Sequence, residues 1–261
     1  MKDFFGINGY QRPVEGYLSW QHLLFVGLLL GMMIFLGIFL GIKMRRKDDK
    51  KKNIVLIVSA ISIDTVEIIK IISFCINAYL DPNGSVLRTI LLNLPLFLCS
   101  IQLIALPLAA FSKGKIREAA LDFVFIFGLL GAITGTIGAG QNYNAYPVLS
   151  IHNVASGITH SISGFASLYI GISGLASMKK QNIIYTYIIL ASFIILAFIA
   201  NATIPYNYMF LKSHDGTPYS IIYNMVSGNQ ILYPMMVILI FVIWILLFYL
   251  TYFFIRKKTN K

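Results

Sequence analysis

The sequence predicts an all-α, polytopic membrane helical bundle of about seven transmembrane helices, and three observations predict it. Hydrophobic residues fill 57% of its 261 positions and charged residues only 12%. The mean hydropathy is +0.76. Apolar runs recur at about the 20-residue length that a helix needs to cross about 30 Å of hydrocarbon. No segment outside them is long enough for a soluble domain, so residues 1–261 are expected to form one membrane-embedded domain.

The first run, 20–42, follows about 19 mostly polar residues and precedes a strongly basic loop. That charge order is the reverse of a signal peptide's, and no small-residue cleavage site follows, so the run is expected to be retained as a helix. The second, 53–80, carries Asp64, Glu67 and Lys70 in its apolar stretch. An ionised side chain at the bilayer centre costs about 2.5 to 3.5 kcal/mol on insertion scales, so such residues face a protein interior or a wet cavity. Asp64 and Glu67 share one helical face, and Lys70 continues the stripe within pairing distance of Glu67. Asp64 is left as the charge in need of a partner.

The third run, 88–111, contains Pro95, Cys99 and Gln102 within LNLPLFLCSIQL, and Pro95 is expected to kink the helix and free a carbonyl one turn earlier. The fourth, 119–139, holds Gly131 and Gly135, and the fifth, 151–178, holds Gly157, Gly164, Gly171 and Gly174. With Gly27, Gly31, Gly37 and Gly41 in the first, these small residues predict close helix packing rather than a phosphate-binding loop. The sixth run is 183–203 and the last 231–255.

Lys and Arg gather in cytoplasmic loops, and seven crossings place 16 of the 21 basic residues on one side: KMRRKDDKKK, then Lys113, Lys115 and Arg117, then Lys179 and Lys180, then Arg256, Lys257, Lys258 and Lys261. Removing the charged second run would separate the first cluster from the others. The N terminus is therefore expected outside and the C terminus in the cytoplasm of a cell-membrane protein. The net charge of +11 reflects this topology and attraction to an anionic leaflet; nucleic-acid binding is not expected. Cys75 near the outer surface and Cys99 about 16 Å deep are too far apart for a disulfide.

His160 lies about nine residues inside the outer end of the fifth run, at a depth comparable with Cys99. A Cys and a His are the minimum for nucleophilic chemistry, with Asp64 or Glu67 available to orient the imidazole. His22 and His152 fall at the outer interface and His214 in the outer loop, a spacing that makes no metal site. No cofactor is expected.

LPLFLCS in the third run, GLLGA in the fourth, and Asn201 preceding NYMFL at 207–211 resemble the YwaF family of bacterial integral membrane proteins. The resemblance covers about two thirds of the chain. It extends distantly to eukaryotic membrane proteins that include ether-phospholipid acyltransferases and lipid-ester hydrolases using an intramembrane Cys or Thr with a His. Phe97 stands where the family pattern commonly has a His, and Leu96 stands where the acyltransferase relatives have their Cys, so the nucleophile is not at the matched position. The resemblance carries over to Pro95, Cys99, Glu67, Asn201, Asn207 and Tyr208.

Three readings follow. A polar pocket lined by Asp64, Glu67, Cys99, Gln102, His160 and Asn201, with Asn207 and Tyr208 at its mouth, binds a lipid or small amphiphile from the bilayer. Alternatively, Cys99 and His160 catalyse acyl transfer or lipid-ester hydrolysis there, or the carboxylates and Lys70 form a proton or ion relay for transport.

Overall fold

The computed structural model describes residues 1–259, with side chains described through Lys257; Lys261 and the side chain of Lys258, both counted in the C-terminal basic cluster, lie outside that range. The regular structure of the described residues is all helical: α1 (Lys2–Phe5), α2 (Trp20–Met44), α3 (Asp49–Leu80), α4 (Val86–Leu92), α5 (Gln102–Phe111), α6 (Gly114–Thr136), α7 (Gly140–Ala145), α8 (Ile151–Ser173), α9 (Asn182–Thr203), a 3-10 turn at Tyr208–Phe210, α10 (Ser220–Met225) and α11 (Leu232–Thr259). Four stretches are long and apolar enough to cross a membrane: Trp20–Met44, Gly114–Ala145, Asn182–Thr203 and Leu232–Lys257. Helices α3 and α8, at 32 and 23 residues, have the length but carry more polar residues. The expected third crossing is not one kinked helix but two short ones, of seven and ten residues.

Capping residues explain the ends that differ from the hydropathy runs. Helix α3 starts inside the basic loop because the Asp48 side chain accepts from the Lys51 N–H at 2.8 Å. That hydrogen bond also holds the Asp48 carboxyl below the usual carboxylate range. Ser19 and Ser150 cap α2 and α8 in the same way. Gly174, at φ 77°, ends α8 before residue 178 because the left-handed conformation costs glycine little.

Helix α8 is central and packs on α2, α3 and α6. Its small-residue faces allow that crowding. A Cβ added at Gly37 would lie 2.9 Å from Leu168 Cβ, at Gly41 2.7 Å from Ile172 Cβ, and at Gly128 2.6 Å from the Ser163 carbonyl. Backbones approach where lipid gives no hydrophobic drive for association, as the glycine spacing predicts. Helix α9 packs on α6 and α11, and the outward faces of α2, α9 and α11 expose Leu, Ile and Phe.

Polar contacts gather the helix ends at two poles. At one, Asn53 Nδ2 donates to the Ala110 carbonyl at 2.8 Å, Arg117 donates to Asn53, and the Tyr169 hydroxyl donates to the Lys52 carbonyl at 2.9 Å. Lys179 pairs with Glu118 nearby at 2.7 Å. Beneath them the fully buried Asp122 carboxylate accepts from the Ser177 and Met178 N–H groups, Asn182 Nδ2 and the Tyr249 hydroxyl, all at 2.9 to 3.0 Å. At the other pole the N-terminal tail is fastened across the α7–α8 segment. Val148 N–H donates to Glu15, Tyr17 N–H to Asn144, Arg12 to the Leu149 carbonyl, and Asn77 to the Phe5 carbonyl.

Candidate functional site

The break between α4 and α5 creates the site. Pro95 brings no N–H and pushes Leu94 out of the helical region, so helical hydrogen bonding cannot continue through LPLFLCS. Nearby polar groups stabilise the loosened backbone. Asn93 Nδ2 donates to the Thr89 carbonyl at 2.8 Å, the Tyr208 hydroxyl donates to the Leu91 carbonyl, and the Ser100 hydroxyl bridges the Phe97 N–H and carbonyl at 3.3 Å. Cys99 is carried on the non-helical segment leading into the N-terminus of α5. There the helix dipole favours negative charge.

A cavity of about 410 Å³ opens beside this segment. Helix α3 supplies the stripe Ile63, Glu67, Lys70 and Phe74; α8 supplies His152, Ser156, Thr159 and His160; the broken segment supplies Asn93, Phe97, Cys99 and Ser100. Asn142, Tyr146 and Tyr206 complete one end. Helices α3 and α8 run antiparallel: Phe74 stacks on His152 with centroids 4.1 Å apart, while Lys52 and Tyr169 meet at the opposite pole. Four residues of α3 separate Phe74 from Lys70 and eight of α8 separate His152 from His160, or about 6 and 12 Å of rise. The cavity thus descends from a roof of Phe74, His152 and Tyr146, past Lys70, to Glu67, Cys99 and His160 at its base.

The Cys99 thiol and the His160 ring lie within hydrogen-bonding and electrostatic reach of each other. Nε2 of His160 makes no hydrogen bond of regular geometry. The opposite nitrogen, Nδ1, is 2.7 Å from the Ser156 carbonyl and 3.3 Å from its hydroxyl. A carbonyl only accepts, so Nδ1 bears the proton and Nε2 is left with a free lone pair. Ser156, one turn earlier on α8, therefore orients the imidazole; neither Asp64 nor Glu67 does. The ring has space because residue 135 is glycine: an added Cβ would lie 1.9 Å from His160 Cδ2. The backbone N–H groups of Cys99 and Ser100 lie within hydrogen-bonding reach of the sulfur.

Of the residues expected in the pocket, Glu67, Cys99 and His160 line the cavity together. Glu67 pairs with Lys70 at 2.6 Å, as their spacing predicts. Asp64 is on α3 but off the cavity wall, because its position falls outside the stripe that repeats at Ile63, Glu67, Lys70 and Phe74. Gln102 is fully buried, away from the cavity, with neither end of its amide hydrogen-bonded. Asn201 serves a backbone clamp: its Nδ2 donates to the Tyr208 carbonyl at 3.0 Å and its Oδ1 accepts the Tyr208 N–H at 2.7 Å. Asn207 braces the following loop through Ser213, Asp215 and the Lys212 N–H. Tyr208 is itself buried, and its neighbour Tyr206 reaches the cavity instead.

Asn201→Ala is expected to loosen this clamp and destabilise the protein by about 2 kcal/mol, since it removes two hydrogen bonds to a buried backbone. Thermal unfolding in detergent measures it, and an unchanged midpoint excludes the clamp.

Sequence reasoning missed Ser156, Tyr146 and Tyr206 and read Gly135 only as a packing residue. Only Ser156 leaves a readable signal, a hydroxyl residue four positions before a buried His. The remaining three depend on which helices meet.

These helices, with their apolar outer faces and a polar cavity inside, define a helical multi-pass membrane protein. The chain belongs to the TMEM164 family, whose model matches residues 17–258. No curated protein and no solved structure matches it.

Proposed function

We propose that the protein binds a lipid or small amphiphile in the cavity and acts on it as an acyltransferase or lipid-ester hydrolase, with Cys99 as nucleophile and His160 as base. The carrying observation is the oriented imidazole facing the thiol at the base of a cavity. Nε2 takes the thiol proton and the sulfur attacks the ester carbonyl. Its oxygen becomes an oxyanion that the Cys99 and Ser100 N–H groups are placed to stabilise. Collapse breaks the ester C–O bond, the leaving alkoxide takes the proton from the imidazolium, and the acyl group stays on sulfur as a thioester. An acceptor hydroxyl, or water, then gives its proton to Nε2 and attacks the thioester, releasing acylated product and the thiol.

The same proposal includes seven crossings, with α4 and α5 together as the third, the N terminus outside and the C terminus cytoplasmic. The contacts that bring the basic ends of α3, α6 and α9 to one pole support it. The resemblance to the YwaF family supports a bacterial cell membrane as its setting.

Capture of the acyl-enzyme tests the chemistry. Incubation with a radiolabelled lipid ester and denaturation at acid pH is expected to leave label on wild-type protein, released by hydroxylamine, and none on Cys99→Ala. Equal labelling of that variant rejects the assignment.

A further inference from the structure

The mechanism above leaves one feature of the cavity unused, the charged pair on the α3 wall. Lys70 Nζ lies 2.6 Å from Glu67 Oε1, with the two side chains 16% and 13% exposed. Both residues line the cavity, and they are its only lining Asp, Glu, Lys or Arg residues among those described. An ammonium carries three donors, and Glu67 is the only ion-pair partner of Nζ among the described residues. Phe74 covers another side, with its ring centroid 5.9 Å from Nζ. Two donors therefore remain for something in the cavity. A half-buried charged pair with spare capacity is costly unless a ligand or water meets it.

The position of that ammonium is informative. Glu67 is near the level of His160, and Lys70 is one helical turn, about 5 Å, nearer the roof. Nζ is within electrostatic reach of both His160 below and His152 above. A group bound at Lys70 would therefore lie one short linker outward from an ester carbonyl held at Cys99. In a glycerophospholipid the phosphate stands in that relation to an acyl ester, separated by the glycerol carbons. Phe74 and Tyr146, both stacked on His152, line the same cavity together with Tyr206.

We propose that Lys70 is the headgroup-recognition residue of the cavity: its ammonium binds the phosphoryl group of a glycerophospholipid and so selects phosphate-bearing lipid esters over neutral glycerides. This rests on the acyl-transfer reading for its register but not for its binding. Glu67 holds the ammonium in place while the cavity is empty, and the phosphoryl group shares it when lipid enters.

The test uses full-length protein in detergent micelles and a pair of probes with the same acyl chain, a lysophospholipid and a monoacylglycerol. Wild type is expected to bind the lysophospholipid at least about tenfold more tightly by native mass spectrometry, the range of one charge-assisted hydrogen bond. Lys70→Arg is expected to keep that preference. Lys70→Gln is expected to lose it while binding the monoacylglycerol as before. Because Lys70→Gln leaves Glu67 unpaired, the double variant Glu67→Gln/Lys70→Gln repeats the measurement without an orphaned carboxylate, and the preference is expected to be absent there too.

Equal affinity of wild type for the two probes overturns the proposal, as does a preference that survives in the double variant. Competition by glycerol phosphate alone separates a site for free phosphate from one that needs the lipid: no displacement at concentrations well above the lysophospholipid is expected, and full displacement assigns the site to soluble phosphate esters and overturns the lipid assignment. The binding assay is repeated on Cys99→Ala. A phosphate preference retained there with no acyl-enzyme in wild type defeats the chemistry but not Lys70, and the reverse pattern defeats Lys70 but not the chemistry.

Discussion

Gly135→Ala is expected to abolish acyl turnover as completely as His160→Ala, a fall of about 10²- to 10⁴-fold, the usual worth of a positioned general base. The added methyl would lie 1.9 Å from one ring carbon of His160 and 2.0 Å from Nε2, so the imidazole must leave its seat. It cannot do so and keep the 2.7 Å bond from Nδ1 to the Ser156 carbonyl. Gly131→Ala, one turn earlier on α6, is the control: a methyl there would sit 3.5 Å from Cys99 Cβ, ordinary contact, and activity is expected to change by less than about threefold. Turnover of a lysophospholipid ester by the two purified variants measures the difference. Equal activity in both, with the protein folded, removes His160 from the mechanism.

Asp122→Ala is expected to be the most destabilising single substitution outside the cavity, costing about 4 kcal/mol, a fall of roughly 10 °C in melting temperature. Asp122 is fully buried, and its two oxygens accept from two backbone N–H groups in the α8–α9 turn, from Asn182 and from Tyr249 on α11. Its removal orphans the two backbone N–H groups and leaves Asn182 and Tyr249 with only Ser177 Oγ and Thr186 Oγ1 as partners, and each unpaired donor costs about 1 to 3 kcal/mol before relaxation. Asp122→Asn keeps acceptor capacity on one oxygen and is expected to lose about half as much. A melting temperature unchanged by Asp122→Ala would show that water replaces the network.

The helical membrane class was readable in the sequence because it depends on composition and run length, which need no tertiary information. The interruption at Pro95 was readable only in part. A proline predicts a freed carbonyl, but a complete break also needs outside groups to satisfy the backbone, and these come from Tyr208 and Asn93. Counting residues placed Cys99 and His160 at similar depth; their meeting depends on how α8 lies across α6. Gly135 was assigned to packing because the spacing that brings backbones together is the same spacing that makes room for a ring. Asn201 and Gln102 were drawn to the pocket as buried amides, yet an amide serves a backbone clamp equally well, and composition cannot tell the two apart. Asp122 attracted no notice, since one carboxylate near a helix start reads as an ordinary boundary residue.

The break between α4 and α5 also bears on how the protein is made. Segments of seven and ten residues rise about 10 and 15 Å, each well short of the hydrocarbon thickness, so neither half can enter a bilayer as an independent span. Their unpaired backbone tolerates lipid poorly and finds partners only in protein, among them a tyrosine more than a hundred residues downstream. During synthesis, α4 and α5 must therefore wait, sheltered or at the membrane surface, until the later helices arrive to receive them. Cys99 lies between them and gains its surroundings only at the last step of assembly, so a chain stalled or truncated before the 208–210 turn would carry the thiol without its setting.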